Sequence, residues 1–548
     1  MENKHLNILA IIPARGGSKG IPRKNIRPLC NKPLIHYSIH NALSSIYDID
    51  VYVSSDDEEV LSISEKFYAK KHLRSNAFAE DHVTLDPVIY NALNDIEKIE
   101  NKTYDYVITL QPTSPLLKSS TIDKAINHII SNPKIDTLIS AKEDTHLSWK
   151  KDNDKYLPNY KERLNRQYLK PNFRETGGFL ITKRNIVTEN NRIGKNVDLF
   201  LLSNGEELDI DSYEDWSICE FYLKRKKILF VVSGNKKIGM GHVYNTLLIA
   251  NDILNHNIEF IVDKESQMAF EKILSLNYKV SIQTSDNLIG DILKIKPDIV
   301  INDRLENSYA YVNTLKKHGM KVIIFEDLGK GASLADLVIN AVYSQKKLVD
   351  NFYFGHHYFL LRDEFMLSQP LTNVNSSVSN VLLSFGGTDP NNYTHKVLDA
   401  IYQYCIDKGI IIDVVAGIGY DRYSSIKDFE KVNIHRNINR ISDFMKQSDI
   451  IFSACGRTTY EIASLAVPAI VMAQNKREIT HYFPYGENGF INLGLGTEVK
   501  SSQIANEFIR LVTNTKLRQQ MSNLMRKADL RNGRKRVSDL VNNIIEST

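Results

Sequence analysis

Residues 8–25 read ILAIIPARGGSKGIPRKN, and the fold follows from this run. Ile8–Pro13 is a short, β-branched apolar segment of strand type. It empties into a loop with three glycines and the cations Arg15, Lys19 and Lys24. Glycines after a strand let backbone N–H groups approach an anion, and the three cations reinforce that field. The spacing matches neither GxxxxGK[ST] nor GxGxxG, which disfavours an ATPase P-loop and a dinucleotide fold. The loop reads as a cradle for a triphosphate. A surface turn with scattered basic residues is the plainer alternative, and three cations among three glycines weigh against it.

Outward from this loop, apolar runs alternate with segments of helical spacing. Val51–Ser55, Tyr106–Leu110 and Thr137–Ser140 read as strands, with helices over Pro33–Ser45 and Ser120–Ile130. That alternation predicts a doubly wound α/β sheet. A helix over Tyr213–Lys226 runs straight into a new strand, Ile228–Ser233, which sets a domain boundary: 1–226 and 227–548. In the second part strands are expected at Ile258–Val262, Asp298–Ile301, Lys321–Phe325 and Leu337–Asn340. After a polar stretch, Gln369–Ser379, come Val381–Phe385, Ile411–Ala416, Asp449–Ser453 and Ala469–Met472. Two β/α runs joined by a polar crossover predict two Rossmann-type lobes, 227–375 and 376–548, facing a cleft.

The chain has 548 residues, enough for about three to five domains. Its 42% hydrophobic and 24% charged residues describe a globular protein, which excludes disorder and collagen-like sequence. No apolar run reaches the roughly 20 residues of a membrane span, and the N-terminal segment reads as a strand, not a signal peptide. A net charge of +4 from 69 basic and 65 acidic residues argues against a nucleic-acid partner. Cys30, Cys219, Cys405 and Cys455 have no metal-ligand spacing and read as free thiols of a cytoplasmic protein.

Asp209 and Asp211 lie in a strand-like Leu-Asp-Ile-Asp, where alternation puts both carboxylates on one face, about 7 Å apart. Two such carboxylates repel unless a cation sits between them. Oxygen-only ligands with substrate phosphates suit Mg²⁺. In the second part Gly239-Met-Gly241 precedes His242 at a helix start, which places His242 toward the cleft as a candidate base. Ser384–Asp389 with Gly386, Gly387 and Thr388 forms another phosphate-type turn. Gly456, Thr458 and Thr459 could face a diphosphate, with Glu461 accepting ribose hydroxyls and Gln474 and Asn475 nearby. Ordinary helix capping by Thr458 and Thr459 is the alternative.

The first 226 residues resemble the CMP-sialic acid synthetases. The landmarks, in that family's order, are ARGGSKGIPRKN at 14–25, NKPLIHYSI at 31–39, VSSDDEE at 53–59, LRSNAFAEDHVT at 73–84, LQPTSPLL at 110–117, RQ at 166–167, FRETGG at 173–178 and DIDS at 209–212. The resemblance implies that Arg15, Ser18, Lys19 and Lys24 hold the triphosphate of CTP, with Asn25 and Arg74 on the nucleotide. It assigns Gln111, Thr113 and Ser114 to the sugar pocket, and Arg166, Gln167 and Arg174 to the acid's carboxylate and polar groups, which suit guanidinium forks. Asp209 and Asp211 would carry Mg²⁺. The sugar's C2 hydroxyl would attack the α-phosphate and pyrophosphate would leave, with Asp211 or a water on the metal taking the proton. Where sialate enzymes usually read Arg-x-Asn-Gly, this chain has Arg174-Glu-Thr-Gly177. Legionaminic- and pseudaminic-type acids are therefore as compatible as N-acetylneuraminate. The octulosonate cytidylyltransferases match less well. The family often dimerises, so a homodimer is also implied.

Residues 227 to about 490 resemble the nucleotide-sugar hydrolases of pseudaminic acid biosynthesis, which share a two-lobed fold with GT-B glycosyltransferases. The matching stretches include GMGHVYNTLLIA at 239–250, DIVINDR at 298–304, FEDL at 325–328, SFGGTD at 384–389 and SACGRTTYEIASLAVPAI at 453–470. The resemblance implies a UDP-sugar in the cleft and a general-base role for His242. It departs at Asn245, where the family has Arg, and at Asp303-Arg304-Leu305, where it has Asp-His-Tyr. A glycosyltransferase or a non-catalytic sugar-nucleotide module are the competing readings.

Overall fold

The computed structural model describes residues 6–18, 20–80, 82–235, 238–344, 350–417, 419–426, 429–436, 438 and 440–548. The chain divides into two compact units, Met1–Arg225 and Lys226–Thr548. The first is built on a seven-stranded sheet. In spatial order its strands are Val197–Leu201, Thr137–Glu143, Phe173–Lys183, Tyr106–Leu110, Ile8–Pro13, Ile49–Ser55 and Lys70–Leu73. Ile8, Ala10 and Ile12 point into one core layer and Leu9 and Ile11 into the other. Both faces of the central strand are thus covered, which is why it reads as a continuous apolar run.

The sheet is mixed. Phe173–Lys183 runs antiparallel to both of its neighbours. Its apolar stretch starts only after Gly177-Gly178, so the polar Arg-Glu-Thr half conceals it from pattern reading. The segment between Glu143 and Phe173 leaves the sheet. It contains a two-stranded ribbon, Trp149–Asp152 with Lys155–Pro158, whose residues are all exposed.

In the second unit two parallel sheets each follow the Rossmann order, with strands 3-2-1-4-5-6. The first sheet centres on Lys227–Val232 and Ile299–Asp303 and gains a seventh strand, Phe352–Phe354. The second centres on Asn380–Ser384 and Ile450–Ala454. The inner strands are short apolar runs walled by helices on both faces, as parallel sheets require, while the edge strands Lys279–Ile282 and Val432–Arg436 are partly polar and exposed. The chain crosses back once. Helix Gly533–Glu546 places Val537, Val541 and Ile545 in the core of the first lobe, so the expected lobe limit at 375/376 does not hold for the C-terminal helix. Its stripe at i, i+4, i+8 is that of a helix with one buried face.

Among the described residues no helix is long and apolar enough to cross a membrane. All four cysteines are free.

Val541 is fully buried. Val541→Asp would place an unpaired charge in that core, at a cost of at least about 3 kcal/mol. The urea midpoint of the far-UV CD transition of the second unit should fall accordingly.

Candidate functional site

In the first unit, Ile8–Pro13 and Tyr106–Leu110 lie side by side where the strand order reverses, the place where open α/β sheets bind ligands. A cavity of about 420 Å³ opens at their C-terminal ends. It gathers Arg15, Ser18, Lys24, Asn25, Arg74, Gln111, Thr113 and Asp211 from four separate stretches of chain. Lys19 lies outside the described residues. Asn25 is buried and its Nδ2 donates to the Arg15 carbonyl at 2.9 Å, which pins the glycine loop. Asp56, given no role from sequence, ties two parts of the wall together. It accepts from the Gly16 N–H at 3.2 Å and stands 3.5 Å from Arg74 Nη2. Arg74 is itself almost wholly buried.

Leu208–Asp211 is a loop, not the expected strand. It has no ladder partner; its anchor is the buried Ile210, whose N–H donates to the Thr113 carbonyl at 2.8 Å. Asp209 and Asp211 flank that anchor with different exposures. Asp211 is 81% exposed, whereas Asp209 is largely enclosed and 3.4 Å from Ser114 Oγ. Two glycines allow this fit. A Cβ on Gly20 would lie 2.8 Å from the Asp211 carbonyl oxygen, and one on Gly177 would lie 2.8 Å from Asp209 Oδ1. Lys24 bridges the loop: Nζ donates to the Ile210 carbonyl at 2.7 Å and reaches Asp211 Oδ1 at 3.4 Å.

Burial raises Asp209 above the usual carboxylate range. Repulsion from Asp211 adds to this, against the pull of Lys24 and Ser114. A cation between the two carboxylates would relieve that repulsion, and an all-oxygen pair suits a hard divalent ion. Among the described residues no group of three His, Cys, Asp or Glu side chains surrounds a metal position. The remaining ligands would come from substrate phosphates and water.

Three expected residues stand elsewhere. Arg166 and Gln167 sit in an exposed 3₁₀ turn, and Arg174 is 62% exposed and 3.5 Å from Asp144. All three belong to, or border, the segment that leaves the sheet, and none lines the cavity. Ser114 is buried behind it.

In the second unit a cavity of about 260 Å³ lies between its two lobes. Met240, Gly241, Tyr244 and Asn245 line one side; Gly386, Gly387, Thr388, Arg457, Thr458 and Glu461 line the other. His242 is not among the residues that line it. Its Nδ1 lies 2.5 Å from Oδ1 of Asp303, which is completely buried at the end of its strand. A carboxylate only accepts, so Nδ1 carries the proton and Nε2 keeps its lone pair in the neutral ring. Asp303 had no role assigned from sequence; its position at a strand's C-terminal end, in Ile-Val-Ile-Asn-Asp, was the signal.

Several expected contacts are spent inside the protein. Thr459 is buried and its Oγ1 donates to the Gly456 carbonyl at 2.7 Å; this is not the capping alternative, since the helix begins after Arg457 and no side chain caps its N-terminus. Gln474 donates to Asp389 at 3.0 Å, and Asn475 accepts from the backbone of Arg477 and Glu478. Glu461 faces the cavity but is bound by Arg362, Nε to Oε1, at 2.6 Å.

The first unit thus has the fold and cationic switch-point cavity of a nucleotidyltransferase. The family described as Cytidylyltransferase matches residues 9–202. Pseudaminic acid cytidylyltransferase of Campylobacter jejuni is 35% identical over 227 residues, 39% of this chain and 96% of that protein. The chain belongs to the cytidylyltransferase family. A Helicobacter pylori protein named pseudaminic acid cytidylyltransferase and UDP-2,4-diacetamido-2,4,6-trideoxy-beta-L-altropyranose hydrolase is 22% identical over 529 residues, 92% of this chain and 95% of that one. Uncharacterized protein MJ1062 of Methanocaldococcus jannaschii is 31% identical over 286 residues, 47% of this chain; the chain spans 58% of its length.

Asp209→Asn separates stability from function. A carboxylate whose folded pKa is raised above its unfolded value lowers stability at pH above the unfolded value, and that penalty disappears as pH falls below it. The variant should therefore melt higher than the wild type at pH 7 and equally at about pH 3. It should lose roughly a hundredfold or more in nucleotidyl transfer. Thermal melts at both pH values and a pyrophosphate-release assay check this.

Proposed function

We propose that the first unit transfers CMP from CTP to a nonulosonic acid of the sialic, legionaminic or pseudaminic class, releasing pyrophosphate. The supporting observation is the convergence of Arg15, Ser18, Lys24, Asn25, Arg74, Gln111, Thr113 and Asp211 on one cavity at the sheet's switch point. Arg15, Ser18 and Lys24, with Lys19 in the same loop, hold and neutralise the triphosphate. Backbone N–H groups of the loop meet the phosphate oxygens as charge develops on them. Gln111 and Thr113 orient the sugar so that its anomeric hydroxyl lies in line with the α-phosphate. Asp209 and Asp211 would hold Mg²⁺, which supplies electrostatic stabilisation of the phosphate oxygens when bound. In this reading Asp211, the exposed carboxylate, accepts the hydroxyl proton.

The second unit, in this reading, hydrolyses a UDP-linked amino sugar. The names of the C. jejuni and H. pylori relatives favour a pseudaminic-type product and precursor. The His242–Asp303 pair beside the interlobe cavity is the machinery that favours hydrolysis: Asp303 orients the imidazole and His242 Nε2 takes the proton of water. The Gly386-Gly387-Thr388 turn and Thr458 receive the diphosphate.

With CTP, Mg²⁺ and a panel of nonulosonic acids, pyrophosphate should appear and mass spectrometry should identify the CMP-sugar. No pyrophosphate from any acid of the panel overturns the first assignment. Asp211→Asn should lower the rate by roughly a hundredfold or more, while His242→Gln leaves it unchanged. With a UDP-linked diacetamido-trideoxyhexose, His242→Gln should abolish release of free sugar. UDP released only when a glycosyl acceptor is added would make the second unit a transferase.

A further inference from the structure

Arginine has only donors and a carboxylate only acceptors, so the two ordinarily pair directly. In the second unit Arg457 and Asp303 do not. Asn245 stands between them. Its Nδ2 donates to Asp303 Oδ2 at 2.6 Å, and its Oδ1 accepts from Arg457 Nη2 at 2.6 Å. The other Asp303 oxygen holds His242 Nδ1 at 2.5 Å. Arg457 belongs to the second lobe; Asn245, Asp303 and His242 belong to the first.

The chemistry of position 245 is narrowly set, because the residue is buried. An apolar side chain would leave a buried carboxylate oxygen and a guanidinium N–H unmatched. A carboxylate there would face Asp303, and a guanidinium would face Arg457. A short amide offers a donor to one and an acceptor to the other. Arg457 is itself fixed from behind by Glu326, 3.5 Å from its Nη1. Glu326 sits at φ +52°, a conformation L-residues rarely adopt, and its carboxylate accepts from the Ala341 and Val342 N–H groups. Strain of this kind persists where surrounding contacts over-determine it.

We propose that Asn245 and Arg457 are positioning residues for His242, forming a relay from the second lobe through Asp303 that fixes the imidazole's tautomer and direction. The catalytic part of this inference rests on the hydrolytic reading of the second unit; the positioning part does not. Separation of the lobes would withdraw Arg457 and release Asn245, so the base is fully ordered only when the cleft is closed.

The full chain carrying ¹³C,¹⁵N-histidine, without substrate, tests the relay by long-range ¹H–¹⁵N spectra, with His242→Gln assigning the resonance. The wild type should show one tautomer, protonated at Nδ1. Asn245→Leu and Arg457→Met should both give averaged tautomers, and Arg457→Lys, which keeps a donor, should restore the single form. In the sugar-release assay both disrupting variants should lower kcat about tenfold or more, with KM changed less than about twofold. If Asn245→Leu fails to fold by far-UV CD, Arg457→Met carries the test alone. A wild-type tautomer in the disrupting variants that fold overturns the relay, as does a raised KM with unchanged kcat. A relay-dependent tautomer in a protein that releases no sugar overturns the hydrolytic reading and upholds the relay.

Discussion

The first site depends on one close contact. The backbone of Gly20 lies against that of Asp211, with no room for a side chain between them. This brings the cationic loop after the first strand to the acidic loop near residue 210, although nearly the whole unit intervenes in sequence. Lys24 can then span the junction, and Asp211 lines the cavity while Asp209 stands beside Ser114. Opposite charges held this near are effective only because each set is anchored separately: the loop by Asn25, the acids by Ile210.

The second unit solves a similar problem with less charge. Its cavity wall combines glycine turns and helix N-termini, and the charges in and behind it are tied to each other. Glu461 is held by Arg362, Asp303 by His242 and Asn245, and Glu326 by Arg457 and two backbone N–H groups. Burial raises Glu326, and repulsion from Asp303 adds to this while Arg457 opposes it. Such a network holds its geometry only while every member is satisfied.

Much of this was legible beforehand, for a physical reason. Strands of a doubly covered parallel sheet are continuous apolar runs, so Ile8–Pro13, Tyr106–Leu110, Lys321–Phe325, Leu337–Asn340 and Ile411–Ala416 have the bounds their sequences suggest. Edge strands such as Lys70–Leu73 and Val432–Arg436 carry polar residues and escape pattern reading. The glycine–cation loop announced the first cavity because glycine and charge together are costly without a ligand. What sequence concealed was pairing. Thr459, Gln474 and Asn475 have the right chemistry for a ligand, but partners within the protein claim them first. Asp303 and Asn245 acquire roles only through the fold that sets them beside His242 and Arg457.

The return of helix Gly533–Glu546 to the first lobe imposes an order on biosynthesis. Domains generally fold as they leave the ribosome, and every element of the Met1–Arg225 core is available early. The first lobe of the second unit has its strands by Phe354, yet it waits for the entire second lobe to be translated before Val537, Val541 and Ile545 can close its core. During that interval an apolar face lies open to chaperones and to other nascent chains. The transfer enzyme can therefore be complete on a ribosome still making its companion.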